Sequence, residues 1–409
     1  MSEHDDTSDD SIETGTDDGR GGDDSGADAL LVTSTADATG KTAVALALAL
    51  AARDAGRSVG YMKPKGTRLE SNVGKTLDAD PMLAREVLGL DDPMHELEPV
   101  VYSPTFVREA VRGREDPDAL RETVREAFEA LRTDRDLLVV EGGGLNAGAT
   151  VGLTDPAIAD LLDARVLLVA PYGGPEDVDD VLVASERFGD RLSGVLFNAV
   201  GDAAFDDLAS DVVPFLSGRG VRTFGTLPRV QELAGVAVAD LGRELGARTL
   251  TSEAPTDTIV ERFVVGAMSA SEALPALRRT RSAVLVCGGD RPEIVTAALD
   301  ASGVEAVLLT GGFQPPAAVL GRAEEADVPV LLVQSDTTTA VERLEGVIRS
   351  GRARDARTVE RMRELLAEYA DVDAMLLEHP GRVPDDGDET APPRDGGRDG
   401  EDGRDGSRS

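Results

Sequence analysis

A short loop between an apolar run and an Ala/Leu-rich helical segment most constrains this chain. Its sequence is Ser34-Thr35-Ala36-Asp37-Ala38-Thr39-Gly40-Lys41-Thr42. Backbone N–H groups in such a loop, together with the dipole of the following helix, favour a bound phosphate. Gly40 permits close backbone approach, Lys41 would reach the terminal phosphates, and the Thr42 hydroxyl would ligate Mg²⁺. The segment therefore predicts an ATP- and Mg²⁺-binding loop, with an ordinary helix start as the alternative.

The spacing of this loop departs from the usual phosphate-loop pattern. That pattern requires a glycine five residues before Gly40, and Thr35 stands there. We still expect Ser34, Thr35, Gly40, Lys41 and Thr42 to contact the nucleotide. The departure leaves open a third interpretation, in which the loop is vestigial and the chain is a structural partner subunit.

Short apolar runs alternate with helical patterns around this loop, which predicts a parallel sheet with helices on both faces. The predicted strands are residues 29–34, 58–62, 137–141, 166–170, 195–198 and 222–225. The predicted helices are residues 42–53, 117–132, 175–188 and 205–218. We therefore expect a P-loop NTPase-like α/β domain over residues 29–228.

A second, smaller alternation follows a less regular stretch at 229–282. Strands are predicted at 283–287, 306–310 and 328–333, helices at 292–301, 316–326 and 338–349, and a last helix at 357–369. We group residues 229–375 into this second α/β domain. Residues 1–28 and 380–409 lack periodically spaced apolar residues and are rich in acidic ones. We therefore predict that both segments are disordered acidic tails.

Charge and composition narrow the classes of function. With 42 Lys+Arg against 77 Asp+Glu, the net charge is −35, which disfavours nucleic acid and anionic membranes as partners. A single cysteine excludes an internal disulfide framework, and three histidines leave little room for a multi-His metal centre. No signal peptide or membrane span is evident, so we expect a cytoplasmic protein. The chain has four lysines and 38 arginines, and this usage resembles that of proteins from salt-loving archaea. All four lysines lie within the segment from Lys41 to Lys75.

Several motifs beyond the loop resemble dethiobiotin synthetase. Ser34-Thr35 and Gly40-Lys41-Thr42 resemble that family's Gly-Thr-x-x-x-x-Gly-Lys-Thr loop. The Lys63-Pro64 pair after the second strand resembles a family lysine that faces phosphates and substrate, which makes Lys63 and Lys41 candidate catalytic residues. A solvated strand-end lysine is the alternative for Lys63.

The same resemblance suggests a metal site and a base contact. Asp80 resembles the family's metal-ligating aspartate, although it could instead cap a helix. Glu141 in Glu141-Gly142-Gly143-Gly144 ends an apolar strand and would share Mg²⁺ with Thr42, unless it is merely a strand-end acid. Asn198 occupies the position of an adenine-contacting asparagine, or else satisfies a turn.

The second unit resembles the DRTGG domain. Gly288-Gly289-Asp290-Arg291 and Thr310-Gly311-Gly312 each follow a predicted strand, and the resemblance extends over residues 290–338. Both turns lie at the carboxyl edge of a small parallel sheet, where open α/β folds place ligands. Arg291 could pair with an anion or a neighbouring subunit; tight turns with a capping aspartate are the alternative.

Together the two domains resemble the N-terminal regulatory part of long phosphate acetyltransferases, over residues 29–375. The resemblance implies an ATP/Mg²⁺-binding regulatory or accessory protein of acetyl-CoA metabolism, of the phosphotransacetylase family and without the acetyltransferase domain. It also implies homo-oligomerisation through the DRTGG domain or a metabolic enzyme as partner. The alternative is an ATP-dependent ligase that acts through an acyl or carbamoyl phosphate.

Overall fold

The computed structural model describes residues 27–67, 69–72, 75–349 and 355–377. The elements of the first part are, in chain order, β1 (Asp28–Ser34), α1 (Lys41–Asp54), β2 (Val59–Met62), β3 (Lys65–Gly66), β4 (Leu69–Asn72), β5 (Lys75–Asp78), α2 (Ala79–Leu88), α3 (Met94–Leu97), β6 (Val100–Val101), α4 (Pro104–Val111), α5 (Pro117–Arg132), β7 (Leu137–Glu141), α6 (Asp155–Leu161), β8 (Arg165–Ala170), α7 (Asp177–Phe188), β9 (Leu192–Val200), α8 (Asp202–Asp207), α9 (Val213–Ser217) and β10 (Thr223–Pro228).

Six of these strands form one parallel sheet in the order β10-β9-β8-β1-β7-β2. Successive side chains along a strand point to opposite faces. Leu30 and Val32 accordingly pack with α1 on one face, and Leu31 packs with α5 residues such as Phe128 on the other. The predicted parallel sheet covered by helices on both faces is confirmed.

The remaining elements are α10 (Gln231–Ala234), β11 (Val236–Ala237), α11 (Val238–Leu245), β12 (Arg248–Thr249), β13 (Ile259–Val260), β14 (Arg262–Val265), α12 (Ala270–Leu277), β15 (Ala283–Gly288), α13 (Pro292–Leu299), β16 (Val304–Thr310), α14 (Ala317–Glu325), β17 (Val330–Leu332), α15 (Thr337–Arg349), α16 (Ala356–Tyr369) and α17 (Val372–Leu376).

A second, smaller sheet has the order β12-β17-β16-β15-β14, with β12 antiparallel to its neighbour and the others parallel. The predicted α/β unit is therefore present and gains two strands that the sequence did not reveal. β12 and β14 are short edge strands that begin with arginines and stay partly exposed. They consequently lack the continuous apolar run of a buried parallel strand.

The two C-terminal helices pack on the first sheet and not on the second. Val359 and Met362 of α16 and Met375 of α17 are buried in the core cluster that contains α1. Gly225 of β10 also pairs in antiparallel fashion with Ala370, which follows α16. This differs from the expected division, which grouped residues 229–375 in the second unit. An amphipathic pattern shows that a helix has a buried face but not which core receives that face.

Of the predicted acidic tails, residues 1–26 and 380–409 lie outside the described residues. Asp28, which the sequence placed in the first tail, already belongs to β1. Among the described residues, no helix combines the length and the apolar character needed to cross a bilayer.

Candidate functional site

The predicted phosphate loop runs between the end of β1 and the start of α1. Thr35 N donates to Val169 O (3.3 Å) and the Ser34 hydroxyl donates to Ala36 O (2.7 Å), so the first two residues hold the loop itself. Ala38 and Gly40 have left-handed backbones, with φ of 55° and 82°. Gly40 occupies the N-cap of α1 and offers no side-chain cap, which leaves the helix N-terminus facing the loop.

Asn198 meets this loop from β9. Its Nδ2 donates to Thr39 O (2.7 Å), and its Oδ1 accepts from Ala199 N (2.9 Å). A Cβ on Gly40 would lie 2.7 Å from Asn198 Nδ2, so only glycine fits there without displacement. Asn198 thus satisfies a turn, the alternative for this residue, and also fixes the phosphate loop.

Glu141 lies at the end of β7, directly beside the start of α1. Its Oε1 accepts from the Thr42 hydroxyl (2.8 Å) and its Oε2 accepts from the Tyr61 hydroxyl (2.7 Å). The side chain is 1% exposed. Burial, then the nearby Asp80 carboxylate, raises the pKa of Glu141 to about 7, although Lys63 opposes the shift. The structure therefore brings two of the three predicted metal-binding residues, Thr42 and Glu141, together.

Lys63 lies among three carboxylates. Its Nζ is 2.9 Å from Asp78 Oδ2 and 3.7 Å from Glu141 Oε1, and it donates to Asp80 Oδ2. The residue is 1% exposed, so the solvated strand-end interpretation is wrong. Burial alone would lower the pKa of Lys63, but Glu141, Asp80 and Asp78 outweigh it and raise the pKa above its usual value.

The sequence left two roles open for Asp80, capping a helix or binding a metal, and the structure assigns the cap to a neighbouring aspartate, Asp78. Asp78 is the N-cap of α2: its Oδ1 accepts from Asp80 N (2.9 Å) and its Oδ2 accepts from Thr67 N (2.9 Å). The capping role considered for Asp80 therefore belongs to Asp78. The Asp80 carboxylate is directed to Lys63, on the same cluster as Glu141.

Glu98 is a buried acid that nothing in the sequence singles out. Its Oε2 accepts from Asp78 N (3.0 Å), whereas its Oε1 is buried without a hydrogen-bond partner. A Cβ on Gly66 would lie 1.7 Å from that oxygen, so Glu98 lies against glycine backbone. Burial raises the pKa of Glu98 to about 7, with the Asp78 amide opposing the shift and the Asp78 carboxylate adding to it.

A second buried pair, Lys65 with Asp155, shapes the turn after Glu141. Asp155 accepts from Thr33 Oγ1 (2.5 Å), Lys65 Nζ (2.5 Å), Gly143 N (3.2 Å) and Gly144 N (3.1 Å). Lys65 is one of the four clustered lysines, whereas no sequence motif singled out Asp155. The Thr-Asp-Pro helix start at Asp155 was the available signal.

The residues at this site fit a nucleotide with Mg²⁺. Thr39 Oγ1, in the loop itself, is buried and makes no hydrogen bond, so a polar group of the loop is left for a ligand. Within the described residues no group of three or more His, Cys, Asp or Glu side chains could hold a metal alone. Mg²⁺ commonly binds one or two carboxylates together with substrate phosphates, which matches Glu141, Asp80 and the Thr42 hydroxyl.

The two glycine turns of the second sheet, Gly288–Arg291 and Thr310–Gly312, are joined by a backbone hydrogen bond. Gly289 N donates to Thr310 O (3.2 Å), and a Cβ on Gly289 would lie 1.7 Å from Phe313 O. Arg291 donates to Gly266 O (2.5 Å) and Met268 O (2.7 Å). Arg291 is thus engaged within its own domain, and its pairing with an anion or a neighbouring subunit stays a prediction. Asp290 does not cap α13, whose N-cap residue Arg291 makes no side-chain capping bond.

Cys287, the cysteine of β15, is buried in the apolar strand. Burial raises the pKa of its thiol to about 12, which favours the protonated form over the nucleophilic thiolate.

A parallel sheet with a Gly-Lys-Thr loop at the carboxyl edge of its β1 strand defines a P-loop NTPase-like domain. The AAA_26 family model, described as an AAA domain, matches residues 28–237, and a second model, described as a DRTGG domain, matches residues 240–347. The chain therefore belongs to the AAA_26 family of P-loop proteins and carries a DRTGG domain after it.

Two kinds of curated relatives match. A phosphate acetyltransferase from Pseudomonas putida is 25% identical over 354 residues, which cover 81% of this chain and 49% of that protein. An ATP-dependent dethiobiotin synthetase BioD from Anaeromyxobacter dehalogenans is 34% identical over 175 residues, which cover 42% of this chain and 77% of that protein. The chain thus spans about half the length of the phosphate acetyltransferases that it matches.

Among solved structures, a ParA family ATPase from Chlorobium tepidum TLS is 14% identical, with a TM-score of 0.31. The match covers 51% of this chain and 86% of that one.

Proposed function

We propose that this chain binds ATP with Mg²⁺ at the loop from Ser34 to Thr42 and acts as a nucleotide-responsive regulatory or accessory protein. The observation that carries the proposal is the Thr42–Glu141 hydrogen bond of 2.8 Å. It joins the loop's hydroxyl to a carboxylate on the neighbouring strand, as a shared Mg²⁺ would require.

The buried lysines favour a regulatory role over ligase chemistry. A ligase needs an open polar pocket for its acceptor beside Lys63 and the glycine turn after Glu141. Here Lys63 is engaged by carboxylates, and Lys65 fills the space beside the turn: a Cβ on Gly143 would lie 2.9 Å from Lys65 Cε. An acceptor bound beside this turn would have to displace these side chains.

The similarity to a phosphate acetyltransferase covers 81% of this chain and supports a regulatory or accessory role in acetyl-CoA metabolism. Under this proposal the partner is a metabolic enzyme or a second copy of the chain. We propose that the chain works in the cytoplasm.

The second candidate is an ATP-dependent ligase, favoured by the 34% identity to a dethiobiotin synthetase. In that reaction a carboxylate oxygen takes the γ-phosphoryl group and ADP leaves. An amine then displaces inorganic phosphate. Lys41 and Lys63 would stabilise the charge on the transferred group, and Lys63 would first have to leave its carboxylates.

Calorimetric titration of ATP into the chain, with Mg²⁺ and then with a chelator, tests the proposal. We expect binding that tightens with Mg²⁺ and no steady ADP release without an added acceptor. Absence of binding under both conditions would identify the loop as vestigial. Steady ADP release that depends on a carboxylate or amine would instead favour the ligase.

We propose that the second unit mediates assembly. Phe313 is 63% exposed and Met268 is 45% exposed, and both flank the Gly288–Arg291 turn. Exposed apolar side chains grouped around one turn are typical of contact surfaces. Phe313→Asp is therefore expected to lower the oligomeric state measured by light scattering, with Val183→Asp, a 55% exposed residue of the first unit, as control. An unchanged mass for Phe313→Asp, or a chain that is already monomeric, contradicts the assembly role.

A further inference from the structure

We propose that Met362, on the helix after the DRTGG domain, is a positioning residue for the phosphate loop, so that α16 sets the affinity of the nucleotide site. The inference rests on the proposed ATP binding and deepens it, because it identifies the element through which the site is regulated.

Three residues from distant parts of the chain meet at one point of the loop. A Cβ built on Gly40 would lie 2.7 Å from Asn198 Nδ2 and 3.8 Å from Met362 Cε. Asn198 holds the carbonyl of Thr39 on one side. Met362 is 2% exposed, and its terminal methyl group lies beside the position that a Cβ on the left-handed residue Gly40 would take. We therefore expect this side chain to limit movement of the loop at that residue.

The α16 helix is fixed along the helix that begins at this loop. Val359, Leu365 and Leu366 are buried with α1 in one core cluster, and Arg363 pairs with Asp54 at the far end of α1. A shift of α16 therefore cannot occur without moving contacts along α1.

The chain path connects this helix directly to the second unit. The last DRTGG-domain helix, α15, ends at Arg349, and α16 begins at Ala356. Only residues 350–355 separate them in the sequence, so we expect a rearrangement of the DRTGG domain to affect α16.

The sheet order predicts which property of the site responds. Glu141 lies on β7, on one side of β1, whereas Asn198 lies on β9, on the other side. Met362 and Asn198 both lie near the position that a Cβ on Gly40 would take, whereas the pair that would hold Mg²⁺ is Thr42 with Glu141. We therefore expect Met362 to affect the affinity for ATP and ADP alike and to leave the Mg²⁺ dependence unchanged.

The test compares Met362→Leu with Met375→Leu in the full chain. Both methionines are buried in the same cluster on C-terminal helices. Leucine keeps nearly the same volume, so both variants are expected to fold with similar small losses of stability. Leucine lacks the Cε methyl group that lies near Gly40. Met362→Leu is therefore expected to weaken ATP and ADP binding by about 3- to 10-fold, and Met375→Leu to bind as wild type does.

The outcomes separate this inference from the proposed function. If wild type binds ATP and Met362→Leu binds equally well, or if both variants weaken binding equally, Met362 is only a core residue and the inference is wrong. If Met362→Leu weakens binding by changing the Mg²⁺ dependence, the positioning role is also wrong. Failure of wild type to bind ATP overturns the proposed function itself.

Discussion

Replacing Lys63 by methionine removes the cation that lies among the buried carboxylates of the candidate site. The ammonium is 2.9 Å from Asp78 Oδ2 and 3.7 Å from Glu141 Oε1, and it also pairs with Asp80. At an effective dielectric constant of about 20, one pair at 3.7 Å is worth about 4–5 kcal/mol before desolvation is counted. Desolvation offsets much of this gain, but removing one partner leaves the others uncompensated. We therefore expect Lys63→Met to lower the free energy of unfolding by about 3–5 kcal/mol.

The loss should depend on pH, because one of the carboxylates titrates near neutrality. With Lys63 present, the pKa of Glu141 is about 7. Removing the lysine raises it further, so a proton can neutralise Glu141 as the pH falls. The cost of Lys63→Met is therefore expected to be largest near about pH 8 and to shrink by about half or more near about pH 5.

Urea unfolding followed by tyrosine fluorescence measures this cost in the first domain. The chain has no tryptophan, and its tyrosines all lie on the first sheet or the elements packed around it: Tyr61, Tyr102, Tyr172 and Tyr369. Lys65→Met is the matched control, because Lys65 is equally buried but pairs with Asp155, outside this cluster. Mg²⁺ should restore stability to Lys63→Met but not to Lys65→Met. An unfolding free energy equal to that of wild type at about pH 8, or a loss of equal size at both pH values, would refute the electrostatic account.

Two further predictions concern the acids of the site. Burial holds the folded-state pKa of Glu98 at about 7, above its ordinary value of 4.5. Between these two pH values the folded chain keeps a proton that the unfolded chain releases. The free energy of unfolding therefore falls as the pH rises from about 4.5 to about 7. Glu98→Gln should remove this dependence and, at about pH 8, stabilise the chain by on the order of 1–3 kcal/mol in urea unfolding; a pH profile parallel to that of wild type would contradict it. Glu141→Gln keeps the shape of the side chain but removes its charge, so it should weaken the Mg²⁺ dependence of ATP binding more than the metal-free binding. Overlapping Mg²⁺ titrations of this variant and wild type would show that Glu141 is not a ligand.

The phosphate loop and its carboxylate could be predicted because parallel strands bring their carboxyl ends to one edge of a sheet. Thr42 follows β1 and Glu141 ends β7, so their meeting required only that these strands be close. The order of the strands in the sheet could not be predicted from the sequence, because the buried strands are all similar apolar runs.

The rest of the cluster could not be read from local patterns. Tyr61 lies within an apolar strand and has the pattern of a core residue, yet its hydroxyl binds Glu141. Asp78 and Asp80 differ by two positions, and only the start of α2 decides which of them caps the helix. Glu98 lies in no motif, and its burial depends on the tertiary contact with Gly66.

The central claim is that the loop from Ser34 to Thr42 binds ATP, and the affinity of Lys41→Ala tests it most directly. Lys41 begins α1 at the end of this loop. A charge-assisted contact to phosphate is worth roughly 1.5–3 kcal/mol. Calorimetry in the presence of Mg²⁺ should therefore show ATP binding weakened by about 10- to 150-fold in Lys41→Ala relative to wild type. Equal affinities for the two proteins would place the nucleotide elsewhere and contradict the account.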